Sequence, residues 1–355
     1  MKLIVSVDLS SYLRKLVLPV CFVLLAACAE APERGVPHSD ILQKQNYSDV
    51  RVMSWNVQTS SILPPDGVRQ ESFARIVRAI DPDVIGLQEV LRPGQAETLV
   101  QLMNKYIPLS KGASWHAHTV ADNALISRFP FYHRGGELVV RYPFPKRGLP
   151  DFHFGYAAAL IDIPEESGGT DMYVVTMHNK SGAGDENVRL RQVQADAIAG
   201  WLRDIRKSEH TNFVPDKTPI VILGDMNVVP GASMRPLETL LAGDIADEET
   251  FGPDFEIDWD GTDMADARPS HNGLDREYYT WRNDGMPFEP SALDRILFTD
   301  SVATVHRRFV LNTMTLAPNF LQNNGLKKTD VLFGGDPREY DHLPLVVDFA
   351  VGSEQ

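Results

Sequence analysis

Carboxylate, amide and imidazole side chains stand at or near the ends of several short apolar runs in this chain of 355 residues. In chain order they are Asn56, Glu89, His178, Asp225, Asn227, Asp294, Asp341 and His342. Carboxylate oxygens are the ligands that Mg²⁺ and Mn²⁺ prefer, whereas imidazoles transfer protons or contact phosphate groups. The set therefore indicates metal-assisted chemistry, with Glu89, Asp225 and Asp341 as candidate ligands.

Each of these segments, taken alone, also has an ordinary structural explanation. Gly224 and Asp225 fit a turn, Glu89 fits a solvated strand end, and the pair Asp341 and His342 fits a cap on the last strand. The sequence contains neither the two-histidine zinc helix nor the Gly-rich phosphate loop with its lysine. The combination of all the segments, rather than any one of them, favours a catalytic site.

The apolar runs predict the strands and helices that must position these side chains. We expect strands at 50–57, 84–88, 124–127, 156–163, 172–177, 220–223, 293–298 and 345–349, and helices at 72–80, 96–105, 187–207 and 236–242. Several runs are continuously apolar, which is typical of strands buried on both faces. Asp185 can cap the third helix. Buried strands that alternate with amphipathic helices predict an α/β sandwich, and we expect one domain at 49–351.

The composition excludes several other classes of protein. Apolar residues make up 43% of the chain, and both cysteines lie within the first 28 positions, which excludes a disulfide-stapled mini-protein, a coiled coil and a disordered tail. The net charge of −14 argues against a basic surface that binds nucleic acid by counterion release. It does not exclude a metal-dependent enzyme, because a bound cation reverses the local charge.

One segment, residues 244–266, carries ten acidic residues and no lysine or arginine. Within it, Glu256, Asp258, Asp260 and Gly261 resemble the start of a calcium loop, but the twelfth position is Ala267 instead of glutamate. The sequence therefore favours a solvated acidic insertion over a structural calcium site.

The first 28 residues resemble an export signal. Basic residues precede an apolar run at 16–27 that is too short to span a bilayer, and residues 25–28 resemble the lipobox of bacterial lipoproteins. This pattern implies a signal peptide at 1–27, lipidation of Cys28 and a tether at 28–48. Ala29 and Glu30 are not the aspartate that implies inner-membrane retention, so we expect anchoring in the cell envelope with the outer membrane favoured. An ordinary signal peptide with an incidental cysteine is the alternative.

A further segment interleaves basic and aromatic residues. Residues 141–147 are followed by Phe152, Phe154 and Tyr156, and we expect a loop that stacks bases, lies at a lipid headgroup surface or packs locally. His116 and His118 lie on one face of a possible strand, where surface or core histidines are more common than zinc ligands.

The ordered set of motifs resembles the endonuclease/exonuclease/phosphatase superfamily, which has the DNase I-like fold. The resemblance runs from about residue 51 to residue 349. It rests on short segments at 55–56, 88–89, 178, 224–227, 293–296 and 341–344. It implies a four-layer αββα sandwich, in which two packed mixed β-sheets are flanked by helices, and hydrolysis of phosphoesters with Mg²⁺ or Mn²⁺.

The resemblance also implies a role for each matching residue. Glu89 holds the metal with Asn56 nearby, and Asp341 lies in or next to the metal's coordination sphere. Asp225 orients or deprotonates the attacking water, with Asn227 fixing the geometry. His342 paired with Asp294 stabilises the developing charge or assists proton transfer, and His178 contacts the phosphate. Segments 123–128 and 279–281 look like secondary motifs, which implies substrate contacts by Asn123, Arg128 and Trp281. Gln58 stands where some repair nucleases of the family have aspartate, which argues against an abasic-site role.

The sequence therefore predicts a surface-tethered, metal-dependent phosphodiesterase with nuclease-like activity. Its substrate is expected to be a phosphoester in a nucleic acid, a nucleotide or a lipid headgroup, and no protein partner can be inferred. A phospholipid, inositol-phosphate or sugar-phosphate hydrolase is the alternative within the same chemistry. A non-catalytic binding lipoprotein is the alternative from another class, although such a protein has no need of the whole catalytic set.

Overall fold

The computed structural model describes residues 41–58, 62–63, 69–90, 96–110, 112–142, 152–207, 209–285, 287–331 and 341–352, with the backbone alone at 141–142 and 152–153. Cys28 and the predicted signal peptide lie outside the described residues. Among the helices that are described, none is long and apolar enough to cross a bilayer.

The described chain alternates strands with helices. The strands are β1 (Val50–Asn56), β2 (Val84–Gln88), β3 (His116–Val120), β4 (Asn123–Ser127), β5 (Phe131–Tyr142), β6 (Phe152–Ile161), β7 (Met172–His178), β8 (Ile220–Asp225), β9 (Ala265–Asp266), β10 (Asp294–Phe298), β11 (Ala303–Val310) and β12 (Leu345–Val351). The helices are α1 (Gln70–Ile80), α2 (Ala96–Tyr106), α3 (Asp185–Ile205), α4 (Arg235–Ala242), α5 (Glu248–Phe251) and α6 (Pro318–Asn323).

The strands form two mixed six-stranded sheets that pack face to face. The first sheet has the order β11-β12-β1-β2-β4-β3 and the second has the order β5-β6-β7-β8-β10-β9. Among the paired strands of the described residues, only β1 with β2 and β7 with β8 are parallel. Helix α2 contacts β3 of the first sheet, and α3 contacts β5 and β6 of the second. The predicted four-layer sandwich is confirmed.

The two sheets approach closely at Gly86 in the middle of β2. A Cβ atom added there would lie 2.1 Å from Leu223 Cδ1 and 2.9 Å from Thr176 Oγ1, so only glycine fits. Two residues further along β2, Gln88 Nε2 donates a buried hydrogen bond to Thr176 Oγ1 at 2.9 Å. This contact fixes the ends of β2 and β7 against each other.

Strand direction brings the polar strand ends to one edge of both sheets. Asn56 ends β1 opposite Gln88, so Glu89 follows directly beside it. His178 and Asp225 are paired at the ends of the parallel strands β7 and β8. Asp294 begins the antiparallel strand β10 and pairs with Asp225. Because parallel strands end at the same edge of a sheet and an antiparallel neighbour starts there, these side chains converge.

Several local expectations differ from the structure. Asp185 is the first residue of α3 and does not cap it; Gly184 occupies the cap position without a side-chain hydrogen bond, and the Asp185 carboxylate lies in the first turn, where the helix dipole favours it. The ends of the predicted basic and aromatic loop belong to the paired strands β5 and β6, and residues 143–151 lie outside the described residues. The apolar pattern did not predict strand β11, because polar residues occupy the middle of this strand.

The folded part of the chain begins earlier than the predicted boundary at residue 49. Ile41 and Leu42 are buried in the main hydrophobic core, and Lys44 forms an ion pair with Asp83 at 2.5 Å. Ile41, Leu42 and Lys44 therefore contact the sandwich, whereas residues 45–48 are exposed.

Candidate active site

Asp225 lies at the centre of the convergent strand ends and is 2% exposed. Its Oδ1 accepts a hydrogen bond from the backbone N–H of Asn227 at 3.0 Å, and its Oδ2 accepts one from Asn56 Nδ2 at 3.2 Å. Two imidazole Nε2 atoms face the same Oδ2, that of His342 at 3.5 Å and that of His178 at 3.6 Å. Burial raises the pKa of the Asp225 carboxyl above its usual range, although the two imidazoles oppose this increase.

His342 forms the first imidazole–carboxylate pair of the site. Its Nδ1 lies 2.8 Å from Asp294 Oδ2, and the same oxygen accepts a hydrogen bond from Thr280 Oγ1 at 2.6 Å. Burial lowers the pKa of His342, but the negative charges of Asp294, Asp225 and Asp341 outweigh it and hold the pKa well above the usual value. The pair therefore favours an imidazolium whose Nε2 points towards Asp225.

His178 forms a second imidazole–carboxylate pair on the other side of Asp225. Its Nδ1 lies 2.5 Å from Asp122 Oδ2, and the Asp122 carboxylate also accepts a hydrogen bond from Asn123 Nδ2 at 3.2 Å. The edge of the Phe154 ring packs against the imidazole, with the ring centroids 5.5 Å apart. Burial lowers the pKa of His178, but the charge and hydrogen bond of Asp122 outweigh it and raise the pKa to about 9.

Sequence reasoning missed Asp122. It lies in the tight turn between β3 and β4, beside Ala121 with φ at +54°, and an Asp-Asn pair in such a turn is ordinary turn chemistry. Only the packing of this turn against the end of β7 shows its role. Asn179 was missed as well: its backbone carbonyl accepts a hydrogen bond from Asn227 Nδ2 at 2.9 Å and so orients the Asn227 side chain.

Glu89 and Asp341 are the candidate ligands for a divalent cation beside Asn56 and His342. Asn56 Nδ2 donates to Glu89 Oε1 at 3.1 Å. Burial raises the pKa of Asp341, and the charges of Glu89 and Asp294 add to this effect. The charge of His342 and a hydrogen bond from the Trp281 side chain oppose it. Among the described residues, no group hydrogen-bonds the buried Asp341 Oδ1, which lies 3.4 Å from His342 Nε2. Two neighbouring carboxylates with an unsatisfied oxygen are the donor set that a hard cation requires.

Backbone strain supports this location. Glu89 has φ at +60° and Asn227 has φ at +48°, in the left-handed region that residues other than glycine rarely adopt. Such conformations persist where the surrounding structure enforces them, and they cluster at functional sites. Here the backbone N–H of Asn227 donates to Asp225, and Glu89 shares the Asn56 amide with Asp225.

Asp225, Asp294 and His342 also lie close enough to bind a metal, because each offers one ligand atom within 4.8 Å of the others. However, His342 Nδ1 already engages Asp294, and its Nε2 faces Asp225 Oδ2. A protonated imidazole between two carboxylates accounts for this arrangement without a metal. We therefore favour Glu89 and Asp341 as the metal ligands.

The remaining predicted site residues differ in their distance from this centre. Asn123 is fully buried behind Asp122, where its Nδ2 also donates to the Gly155 carbonyl at 3.0 Å. Trp281 forms a β-bridge with His342 and lies beside the site. Arg128 lies at the opposite end of β4, where its guanidinium pairs with Asp81, so the structure does not bring it together with the other residues.

The fold is similar to that of several proteins of known structure. The catalytic domain of human Nocturnin with a bound sulfate anion shares 17% identity, 86% of this chain and 96% of that chain are covered, and the TM-score is 0.52. The Bacteroides thetaiotaomicron mannosyl-6-phosphatase Bt3783 shares 16% identity, with 84% and 99% covered and a TM-score of 0.51. The 2′,3′-cyclic phosphatase ANGEL2 shares 14%, with 85% and 95% covered and a TM-score of 0.51.

At these identities the likeness establishes the fold alone. No curated protein sequence shows significant similarity to the chain. Residues 53–314, which include all the strands from β2 to β11, match the Endonuclease/Exonuclease/phosphatase family. Members of that family are phosphoester hydrolases and generally depend on divalent metals. The chain belongs to the Endonuclease/Exonuclease/phosphatase family.

Proposed function

We propose that this protein is a divalent-metal-dependent phosphodiesterase with nuclease-like activity. One observation carries the proposal: a single buried carboxylate, Asp225, faces two imidazoles, and each imidazole is held by a carboxylate of its own. This arrangement places a proton acceptor between two cationic groups. It suits the attack of water on a phosphoryl group whose oxygens become more negative in the transition state.

The metal has a defined place in this scheme. Glu89 and Asp341 would hold Mg²⁺ or Mn²⁺, with Asn56 orienting Glu89. When bound, the cation neutralises the repulsion between carboxylates and phosphate and lowers the pKa of coordinated water. The Trp281 side chain hydrogen-bonds the Asp341 carboxylate.

The protein's own side chains supply the proton transfers and the anion contacts. Asp225 orients the attacking water and accepts its proton, while the Asn227 backbone N–H holds the carboxylate in place. His342, oriented by Asp294, stabilises the negative charge that develops or delivers a proton from Nε2. His178 remains cationic at neutral pH, because its pKa of about 9 lies above the solution pH, and contacts a phosphate oxygen.

An aromatic pair beside the site supports a substrate with an organic group next to the phosphate. The rings of Trp281 and Phe288 have centroids 6.4 Å apart, and Phe288 is 60% exposed. Exposed ring faces stack on nucleobases at about 1–3 kcal/mol per base. A sugar phosphate is the second candidate, since it offers a similar apolar face and one similar structure is a mannosyl-6-phosphatase. A lipid headgroup is the third member of the panel below.

We also propose that the protein is exported and anchored in the cell envelope through a lipid on Cys28, with the outer membrane favoured. The lipobox-like residues 25–28 support this proposal. The Cys28→Ser variant is expected to move from the membrane fraction to the soluble fraction. Equal membrane association of the variant and the parent protein contradicts the anchor.

The activity is tested with a panel of single-stranded and duplex DNA, RNA, nucleotides, sugar phosphates, sphingomyelin and phosphoinositides, each with Mg²⁺, Mn²⁺ or EDTA. We expect turnover with metal, loss with EDTA, and loss in Asp225→Asn and His342→Ala. Asp216→Asn is the matched control, because Asp216 is exposed and precedes β8 at the end opposite the site. No metal-dependent turnover on any substrate favours a binding lipoprotein, and activity that survives both substitutions contradicts the site assignment.

A further inference from the structure

The backbone segment 178–182 carries His178 and Asn179 into the catalytic centre as β7 ends. The Asn179 backbone N–H donates to the Asp225 carbonyl at 2.8 Å, and the Asn179 carbonyl accepts a hydrogen bond from Asn227 Nδ2 at 2.9 Å. The segment therefore contacts two catalytic residues through its backbone. The path of this backbone affects both the His178 imidazole and the Asn227 amide.

Gln194 of helix α3 holds the first part of the segment. It is 1% exposed. Its Nε2 donates to the His178 carbonyl at 2.9 Å, and its Oε1 accepts a hydrogen bond from the Lys180 backbone N–H at 2.9 Å. One buried amide therefore binds the backbone on both sides of Asn179, where the strand has ended.

Arg191 holds the second part of the segment. It lies three residues before Gln194, on the same face of α3, and is 2% exposed. Its Nη1 donates to the backbone carbonyls of Lys180 at 2.8 Å and Gly182 at 2.7 Å. Gly182 has φ at +95°, which residues other than glycine rarely adopt, so the chain turns sharply at this contact. Two side chains of one helix thus make four hydrogen bonds to this backbone.

The guanidinium of Arg191 also lies directly behind the catalytic centre. Its Nη2 borders a small cavity of about 10 Å³ that Asn179 and Asn227 line as well, and no described residue hydrogen-bonds this buried nitrogen. Burial lowers the pKa of Arg191, and the negative charge of Asp225 opposes this effect. A buried cation is costly unless its surroundings use it, and here the carboxylate that acts on it is the central one of the site.

We infer that Arg191 and Gln194 are positioning residues for phosphoester hydrolysis, because they fix the segment 178–182 and so hold the His178 imidazole and the Asn179 carbonyl at the catalytic centre. Gln194 acts through His178, and Arg191 acts through Asn179 and its contact with Asn227. The inference rests on the proposed function, but the placement of the His178 imidazole can be measured without turnover.

A neutral substitution tests Gln194. Gln194→Met removes both hydrogen bonds without a change of charge, and kcat/KM on the best substrate of the panel should fall by about 10–100-fold. Combined with His178→Gln, it should add hardly any further loss, because residues that act through one group are not additive. Gln192→Met is the matched control: Gln192 belongs to the same helix but bonds to Asp196 and Thr239, so this variant should keep the activity of the parent.

Two substitutions of different charge test Arg191. Arg191→Met should lower kcat/KM by about 10–100-fold, whereas Arg191→Lys keeps the charge and a donor for the same carbonyls and should recover most of this loss. Arg189→Met is the matched control, because Arg189 is exposed on the same helix and pairs with Glu186. Circular dichroism identifies variants that do not fold, and the milder Arg191→Gln and Gln194→Asn then take their places.

Nuclear magnetic resonance of the His178 ring during a pH titration in metal-free buffer measures the placement of the imidazole directly. In the parent, His178 should titrate near its pKa of about 9. In Gln194→Met the midpoint should fall by about one pH unit or more towards the ordinary value, because a displaced imidazole loses its contact with Asp122. In Gln192→Met the midpoint should stay in place.

The inference is overturned if Gln194→Met leaves either kcat/KM or the His178 titration unchanged, or if its loss is fully additive with that of His178→Gln. It is also overturned if Arg191→Met is as active as Arg189→Met. A parent protein without turnover on any substrate contradicts the proposed function instead, and the His178 titration then decides the positioning role.

Discussion

The two imidazole–carboxylate pairs share one geometry but lie in different surroundings. His342 and His178 place their Nε2 atoms 3.5 and 3.6 Å from the same oxygen of Asp225. His342, however, also lies 3.4 Å from Asp341, next to the carboxylates that suit a metal. His178 instead packs against the edge of Phe154. We therefore expect the same chemical unit to meet developing charge on the His342 side and to hold the phosphate on the His178 side.

The carboxylates that hold the two imidazoles are supported differently as well. Asp294 accepts a hydrogen bond from the Thr280 hydroxyl and sits within β10, paired with Asp225. Asp122 lies in a turn and is supported by the Asn123 amide. Because a strand position is more rigid than a turn, we expect the His342 pair to tolerate substitution less well than the His178 pair.

The largest loss of kcat is expected at Asp225, the residue that both imidazoles face. Asp225→Asn removes the proton acceptor that the two imidazoles share, and kcat should fall by about 10³-fold or more. Steady-state kinetics on the best substrate of the panel measures it, with circular dichroism to show that the fold persists. A variant within tenfold of the parent contradicts the role of Asp225.

Substitutions in the pair of His342 and Asp294 should cause the next largest loss of kcat. His342→Ala and Asp294→Asn should each lower kcat by about 10²–10³-fold, and the double variant should be hardly worse than the worse single variant, because the two residues act as one unit. A double-mutant cycle on kcat checks this expectation. Fully additive losses would show that Asp294 does not act through His342.

The His178 pair should matter less for the rate and more for substrate binding. His178→Gln and Asp122→Asn should lower kcat/KM by about 10–100-fold, with KM carrying more of the change than in the His342 pair. Comparing kcat and KM of all four dyad variants on one substrate decides whether the two pairs differ. The same changes in kcat and KM for both pairs would contradict the expectation that His342 acts mainly on the rate and His178 mainly on substrate binding.

The smallest expected effect is on the way the free energy of unfolding changes with pH. The folded pKa of His178, about 9, lies above the ordinary value of 6.5. The contribution of the His178–Asp122 pair to the free energy of unfolding is therefore complete below pH 6.5. It is lost as the pH rises through 9, at up to about 1.4 kcal/mol per pH unit. Asp122→Asn should flatten this part of the curve, as measured by urea unfolding in metal-free buffer between pH 6 and pH 9. A curve parallel to that of the parent argues against the raised pKa.

Much of the catalytic centre could be predicted from the sequence, because each residue stands at the end of an apolar run. Glu89, His178 and Asp225 all end or follow strands whose composition alone locates them. The sandwich follows from the same runs. The third helix was located to within two residues at each end, since its apolar positions repeat along one face.

Other features depended on contacts that no local pattern contains. Asp122 meets His178 across 56 residues of sequence, and an Asp-Asn turn has the same local signature with or without such a partner. Arg128 matched a motif by sequence and yet lies at the opposite end of β4.

The sequence by itself thus determined which polar residues stand at the strand ends and which strands hold them, because hydrophobic periodicity and strand ends are encoded in neighbouring positions. The tertiary structure alone decided which residues lie in pairs: Asp122 with His178, and Asp294 with His342. The physical reason is that hydrogen bonds and charge interactions act over a few ångströms in space. Only the packing of the two sheets and their connecting loops brings such partners within that distance.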